Sequence, residues 1–296
     1  MVTIQQLGVN IDGEASLDFS GMAISLSGNG QILAIGAPMN DDGGDSSGHV
    51  RVYEWAGSQW TQLGDDIDGQ QVGEKLGDSV SLNNDGTLLA IGAPNNDGTT
   101  GNNNDDRGRV RVYQRDINNS WTLLGSENGT TTTDLYFDGD AAGELFGSSV
   151  SLTGDGTVLA IGGSGGAGRV RVYQRDTNNT TVTPVGWTKL GADIDGESSS
   201  GSGGYGGVDT SGNSISLSSD GTRVAIAAKY NDGNGTDSGH VRVYEWNSTQ
   251  WTQLGADIDG KAGGDLFGES VSLSSNGNIL AIGAGFGTVG GNSGAG

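Results

Sequence analysis

The sequence predicts an all-β fold, a β-propeller of four-stranded blades of about 60 residues each. Three observations predict it: short strand-like segments separated by glycine-rich turns, the absence of a helical period, and an internal repeat. A period of 56 to 66 residues is far longer than one coil of a β-helix, the rival architecture. Each unit closes with a Leu-Gly pair, at Leu7-Gly8, Leu63-Gly64, Leu124-Gly125, Leu190-Gly191 and Leu254-Gly255.

The strands of one unit can be predicted in chain order. The first, Ser79 to Leu82, alternates small polar with apolar residues, and Asp85-Gly86 supplies the reversal that follows. The second, Leu88 to Ala93, is apolar on both faces, so both faces must be covered. The third is Val-Arg-Val-Tyr and the fourth is Trp-Thr-x-Leu-Gly. Sheets with two apolar faces must stack, and a closed ring of them leaves no face exposed.

We expect a single propeller domain over residues 1–296. Residues 1–8 match only the fourth strand of a unit, and the last unit stops where its third strand would begin. This pattern fits either a fifth blade split between the two ends or a segment of a longer repeat chain, which we favour. The predicted blade repeats are approximately 9–64, 65–125, 126–191, 192–255, and 256–296 plus 1–8.

Composition excludes several functions. The chain has 36 Asp and Glu against 14 Lys and Arg, a formal net charge of −22, so it lacks the basic stripe that nucleic-acid binding requires. No apolar stretch approaches the ~20 residues of a membrane span, so we expect no membrane insertion. There are no cysteines, which removes disulfides, thiolate nucleophiles and cysteine-based zinc sites. Residues 1–20 have no signal-peptide pattern.

Strand parity predicts that most carboxylates gather on one rim. If the first strand of each blade is innermost, the Asp-Gly turns lie on one rim. The loops between the second and third strands then lie on the other rim, together with the Asp-Ile-Asp-Gly crossings between blades. We call this second rim the acidic rim and expect it to be the binding face. Its candidate residues are Asp66, Asp68, Asp193, Asp195, Asp257 and Asp259.

The first two strands resemble the FG-GAP repeat, the blade unit of integrin α-chain propellers. Phe146-Gly147 and Phe267-Gly268 sit where its Phe-Gly sits, and Gly36-Ala37-Pro38 and Gly92-Ala93-Pro94 match its Gly-Ala-Pro. The resemblance implies a propeller, and such propellers serve adhesion, sugar binding and occasionally catalysis. The calcium loop that this family often carries between strands one and two is replaced here by short turns such as Ser218 to Gly221.

Oxygen-rich loops predict candidate calcium sites elsewhere. The alternative is that these side chains cap their own backbone in Asx-turns. His49 and His240 precede the third strand in two units, but arginine occupies that place in the other two, so we predict no ligand role for the histidines. The candidate metal ligands are Asp41, Asp42 and Asp45 in one loop, and Asp232, Asn234 and Asp237 in another.

Arginine and tryptophan also recur with the repeat. An arginine stands at the same place in every complete unit, and we expect it to pair with carboxylates and stack on aromatic rings between blades. Trp121 and Trp187 are candidate sugar-stacking residues, although tryptophans at such places more often cover blade edges. The recurring arginines are Arg51, Arg111, Arg171 and Arg242.

No catalytic motif stands out. There is no Ser/His/Asp order, phosphate loop or HExxH, and the carboxylates recur in every unit, whereas catalysis usually breaks a repeat at one place. We therefore expect a non-enzymatic extracellular or cell-surface protein that serves adhesion, structural assembly or protein interaction through the acidic rim. Its partner would be a protein, a glycan or another copy of itself, with calcium as the candidate cofactor. A carbohydrate-binding, lectin-like propeller is the alternative, and a hydrolase is more remote.

Overall fold

The computed structural model describes residues 5–98, 104–125, 135–177, 186–197 and 208–287. These residues form β-strands, turns and loops, and within these ranges no helix is long and apolar enough to cross a membrane. The prediction of an all-β propeller is confirmed. Residues 1–4 and 288–296, which belong to the predicted split unit, lie outside the described residues.

Each blade begins with two antiparallel strands. We number the blades 1 to 5 in chain order. The first strands are β1 (Ala23–Leu26), β6 (Ser79–Leu82), β11 (Phe146–Leu152), β16 (Ser214–Leu217) and β21 (Phe267–Leu273). The second strands are β2 (Ile32–Ala37), β7 (Leu88–Ala93), β12 (Val158–Gly163), β17 (Arg223–Ala228) and β22 (Leu280–Ala284).

Blades 1 to 4 continue with a third and a fourth strand, again antiparallel and side by side. The third strands are β3 (His49–Trp55), β8 (Arg109–Arg115), β13 (Arg169–Arg175) and β18 (His240–Trp246). The fourth strands are β4 (Trp60–Gln62), β9 (Trp121–Leu123), β14 (Trp187–Lys189) and β19 (Trp251–Gln253).

A fifth short strand, which the sequence did not predict, lies in each crossing and pairs with the beginning of the third strand. The register sets an aspartate of the crossing opposite the first residue of the third strand, as in His49 opposite Asp68 and Arg169 opposite Asp195. The crossings are thereby held against the rim. These strands are β5 (Ile67–Asp68), β10 (Tyr136–Asp138), β15 (Ile194–Asp195) and β20 (Ile258–Asp259).

The hydrophobic core lies between successive blades. All six residues of β7 are buried, as predicted for a strand that is apolar on both faces. Between blades 1 and 2, Ile32 and Val50 belong to the same cluster as Leu82 and Ile91. Full burial of such a side chain contributes about 1.5–3 kcal/mol, so the interfaces between blades supply much of the stability of this glycine-rich chain.

Serine side chains connect neighbouring first strands. The backbone N–H of Leu82 in blade 2 donates to the hydroxyl oxygen of Ser25 in blade 1 at 2.9 Å. The same bond recurs at the next three interfaces, at 2.9 to 3.0 Å. This N–H points away from the neighbouring strand of its own blade. Without the serine it would be buried with no hydrogen-bond partner. The later pairs are Ser81 with Leu152, Ser151 with Leu217 and Ser216 with Leu273.

The first blade has one apolar face that no sheet covers in the described part of the chain. Ile24 and Leu26 are 66 % and 54 % exposed, whereas Val80 and Leu82, their counterparts in blade 2, are 9 % and 7 % exposed. Residues 5–8 are described but form no strand. The closure of the ring through residues 1–8, the blade boundaries and the single-domain organisation remain predictions.

Gly92→Ala should destabilise the interface between blades 2 and 3. A Cβ at Gly92 would overlap the backbone carbonyl oxygen of Gly147, which cannot move as a side chain can. We expect the free energy of unfolding in urea to fall by about 1–3 kcal/mol. Gly186→Ala is the control, because a Cβ there meets no atom within 4 Å. Equal unfolding midpoints for the two variants would contradict the close approach.

Candidate functional site

Each blade begins with a buried carboxylate that sequence reasoning missed. In four blades it accepts a hydrogen bond from the backbone N–H three residues earlier, as Asp18 does from Ala15 and Asp265 from Ala262. In three blades an asparagine from the loop after the second strand also donates to it. The acid always stands three residues before a glycine, a spacing that could have revealed it. The five carboxylates, at most 8 % exposed, are Asp18, Glu74, Glu144, Asp209 and Asp265.

The recurring arginines pair with carboxylates, as predicted. Arg111 and Glu74 are both fully buried, with Nη2 and Oε2 2.9 Å apart. Arg171 lies 2.8 Å from Glu144 and its guanidinium is 4.7 Å from the centre of the Phe146 ring. In blades 1 and 4 the arginine meets a glutamate of the segment before the first strand instead: Arg51 meets Glu14, and Arg242 meets Glu197. These pairs are structural, because removing one partner would leave a buried charge uncompensated.

In the loops predicted to bind calcium, two of the five aspartates cap backbone N–H groups. Asp41 accepts a hydrogen bond from the backbone N–H of Ser46 at 2.8 Å, and Asp232 accepts one from that of Asp237 at 2.9 Å. The side-chain amide of Asn234 donates to the carbonyl of Gly260. Of the five predicted aspartate ligands, Asp42 alone belongs to a group of acidic and histidine side chains that could hold a metal ion in the described part of the chain.

Within the described residues, two groups of side chains could hold a metal ion, and both contain a histidine that sequence reasoning dismissed. In each group one ligand atom per residue lies within 4.8 Å of all the others. Both groups draw on the crossings and on the first residue of the third strand, which the fifth strand brings together. The first group is Glu14, Asp42, His49 and Asp66, and the second is Glu197, His240 and Asp257.

The remaining acidic-rim residues differ in burial, in their hydrogen-bond partners and in the direction of their pKa shifts. Asp193 accepts hydrogen bonds from Lys189 and Arg171; burial acts to raise the pKa of Asp193, but these bonds outweigh it and lower the pKa. Asp259 is exposed in β20. Burial is the main cause of a raised pKa at Asp68, and the charge of Asp66 adds to it. Three of the four acidic-rim aspartates in blades 3 and 4, Asp193, Asp195 and Asp257, are thus paired with arginines, whereas negative charge accumulates in blade 1.

The repeat is broken in blade 3, where a cleft of about 300 Å³ opens on the acidic rim. The loop after the second strand spans only 164–168 in this blade, against 38–48, 94–108 and 229–239 in the others. We call this opening the blade 3 cleft. Its walls are small residues together with Glu144, Arg169 and Asp195, the small ones being Ala141, Ala142, Gly143, Gly165, Gly166, Ala167 and Gly168.

Arg169 and Asp195 are the exposed charged pair of the blade 3 cleft. Arg169 Nε donates to Asp195 Oδ1 at 2.6 Å, and this bond is the largest cause of the raised pKa of Arg169. The side chains are 35 % and 60 % exposed. In blade 2 the equivalent pair is Arg109 and Asp138, also 2.6 Å apart but only 5 % and 29 % exposed. The blade 3 cleft therefore presents to solvent a pair that blade 2 covers.

The two candidate sugar-stacking residues differ in exposure and in their contacts. Trp187 is 1 % exposed and packs edge-on against Phe137, so the stacking role predicted for it is wrong. Trp121 is half-buried, and its indole N–H donates to the carbonyl of Leu63 in the preceding blade. It lines a second cleft of about 580 Å³ with Asp65 and Asp66, which has carboxylates but no cation among its lining residues.

Asp257→Asn should remove an acid-sensitive part of the stability. Arg242 donates to both carboxylate oxygens, at 3.0 and 2.8 Å, and is the main reason that the pKa of Asp257 is lowered to about 2. Because the folded pKa lies below the unfolded value, the ionised group stabilises the fold at neutral pH. That contribution is lost as the pH falls from about 4 to about 2.

We therefore expect the variant to have a lower urea midpoint than the parent at pH 7, and the difference to shrink towards pH 2.5. Asp259→Asn, at an exposed position of the same crossing, is the control and should change neither midpoint. A difference that is the same at both pH values would contradict the ion pair.

The chain is similar to two solved propeller structures. One is a periplasmic gluconolactonase of Pseudomonas aeruginosa, with a TM-score of 0.55, 16 % identity and 88 % of this chain covered. The other is a protein of Bacteroides uniformis classed as a 6-phosphogluconolactonase, with a TM-score of 0.52, 11 % identity and the same coverage of this chain. This chain spans 64 % and 63 % of the length of the two. No family model and no curated protein sequence matches it.

At these identities the similarity shows the fold, an all-β repeat propeller. It also overturns the expectation of a non-enzymatic adhesion, lectin-like, integrin-like or structural protein, because both structures are described as lactonases. The FG-GAP resemblance finds no matching family model. The periplasmic location of the first protein agrees at a coarse level with the expectation of an exported chain.

Proposed function

We propose that this chain belongs to a propeller hydrolase that opens a cyclic ester of a sugar acid, with the blade 3 cleft as its site. The observation that carries the proposal is the similarity to two propellers described as lactonases. The blade 3 cleft adds a local reason, because it is where the repeat is broken and where a cation and a carboxylate face solvent together. The larger cleft beside Trp121 lacks the cation.

The small residues of the blade 3 cleft give it room for a small substrate. A volume of about 300 Å³ lies at the lower end of the range for small-molecule sites. Its walls are stiff because the backbone of Gly165 packs directly on the carbonyl of Gly143, where a Cβ would overlap. A rigid wall beside an exposed charged pair favours a fixed orientation of the bound ester.

Arg169 and Asp195 divide the chemistry between them. The Asp195 oxygen that does not bond Arg169 Nε takes a proton from water, whose oxygen attacks the carbonyl carbon of the ester. The Arg169 guanidinium stabilises the negative charge that develops on the carbonyl oxygen. The bond from the carbonyl carbon to the ring oxygen then breaks, and the ring oxygen takes the proton and becomes a hydroxyl. The product is the open hydroxy acid.

The charge of the protein favours an uncharged substrate. A formal net charge of −22, with Asp140, Asp193 and Asp195 around the blade 3 cleft, repels a phosphate dianion. A neutral sugar lactone meets no such barrier. For the same reason we propose that the protein has no nucleic-acid partner. We also propose that it acts on a small molecule outside the cytoplasm, which the periplasmic location of the similar gluconolactonase supports. The FG-GAP resemblance then describes only the shape of the blades.

Asp195→Asn should abolish most of the activity. We expect the purified chain to release acid from D-glucono-1,5-lactone, followed in a pH-stat, faster than the spontaneous rate. Loss of the base should lower kcat by about 10²–10⁴-fold. The matched control is Asp138→Asn, the equivalent substitution in blade 2, which should leave the rate unchanged because Arg109 and Asp138 are less exposed than the pair in the blade 3 cleft.

Two results would count against the proposal. No release of acid above the spontaneous rate from neutral lactones would overturn the activity. Full activity in Asp195→Asn, or equal losses in Asp195→Asn and Asp138→Asn, would overturn the assignment of the site.

A further inference from the structure

Blades 2, 3 and 4 set a guanidinium against the aspartates of their crossings. Arg109 binds Asp138 in blade 2, and Arg169 binds Asp195 in blade 3. Arg242 binds Asp257 in blade 4, where the first residue of the third strand is a histidine. Negative charge brought together by the crossings is thus compensated by an arginine in each of these blades.

Blade 1 departs from this rule. Its third strand begins with His49, and Arg51 reaches only Glu14 Oε1, at 3.4 Å, and the carbonyl oxygen of Asp12, at 2.9 Å. Among the described residues no lysine or arginine lies within 4 Å of Asp42 or Asp66.

His49 is aimed into this group without a partner. The side chain is 1 % exposed, and its Nδ1 atom has no hydrogen-bond partner. Nδ1 lies 3.6 Å from Glu14 Oε2 and 3.9 Å from Asp66 Oδ2, too far for hydrogen bonds. Two ligands on one tetrahedral ion with bonds of about 2.1 Å are about 3.4 Å apart, so these separations suit a shared ion better than a direct contact.

The two carboxylates that face His49 are held by their other oxygens. Glu14 Oε1 faces Arg51, which leaves Oε2 towards His49. Asp66 Oδ1 accepts a hydrogen bond from the side-chain amide of Gln62, which leaves Oδ2 towards His49. Partners of this kind orient metal ligands. Asp42 and Glu14 lie at the exposed side of the group, so an ion can reach it from solvent.

We propose that Glu14, Asp42, His49 and Asp66 form a binding site for a divalent transition-metal ion, with Zn²⁺ as the ion that fits best. Three carboxylates and the nearby guanidinium of Arg51 leave a local charge that a divalent ion balances. One imidazole and three carboxylates are ligands that Zn²⁺ accepts in a four-coordinate site. Calcium takes six to eight oxygens and is a poorer match for a group built around His49.

The related group in blade 4 is an internal comparison that should not bind. Its loop has Gly233 where blade 1 has Asp42, so it offers one ligand fewer. Arg242 already pairs with both Glu197 and Asp257.

Zinc titration of the whole chain tests the site. The protein is stripped with a chelator, the chelator is removed, and ZnCl₂ is added in a calorimeter and in a thermal melt. We expect one ion per chain and a melting midpoint raised by several degrees, because the ion binds only the folded state. Calcium at the same concentration should shift the midpoint less.

Variants separate this site from adventitious binding. Asp42→Asn should weaken zinc binding at least about tenfold without harming the fold, because Asp42 is exposed. His49→Ala should abolish it, and His240→Ala should leave it unchanged. The absence of any bound ion, undiminished binding in Asp42→Asn and His49→Ala, or a loss of zinc in His240→Ala would each overturn the proposal. None of these readouts depends on lactone hydrolysis.

Discussion

The contact between the faces of successive sheets is the constraint on which this structure depends. Strands such as β7 are buried on both sides, so no blade is stable alone and each must be covered by its neighbours. The approach is close enough that Gly92 has no room for a Cβ beside Gly147, and close enough for Ser25 to accept the N–H of Leu82 in the next blade. Glycine is therefore needed at particular points of the interface as well as in turns.

The same interfaces bury charge, and the way in which each blade compensates it decides where function can lie. Arg111 and Glu74 are fully buried and neutralise each other, so neither side chain can contact a ligand. In blade 3 a shortened loop leaves Arg169 and Asp195 exposed, so a substrate can contact this ion pair. In blade 1 His49 takes the place of an arginine and compensation is incomplete. Small departures from one repeated scheme thus produce two chemically different places.

The repeat pattern predicted the architecture well, because strand period, turn residues and two-sided apolar strands all act locally. It predicted the recurring arginines for the same reason. It missed the buried acids such as Glu74, although their spacing from the following glycine is regular, and it dismissed His49 because arginine replaces it elsewhere. What His49 faces depends on Glu14 and Asp66, which the fold brings together from two separate segments of the chain. The burial of Trp187 could not be predicted from the repeat for the same reason, since it follows from packing on Phe137, a distant residue in the sequence.

The serine hydroxyls that accept N–H groups from the next blade have an evolutionary consequence. The bond joins a side chain of one unit to the backbone of the following one, so the following unit contributes only an atom that almost every residue possesses. A duplicated or recombined unit would therefore form this hydrogen bond with its neighbour without any further change in sequence. Tandem copying of the gene segment could therefore lengthen the array without a matching substitution at each new junction.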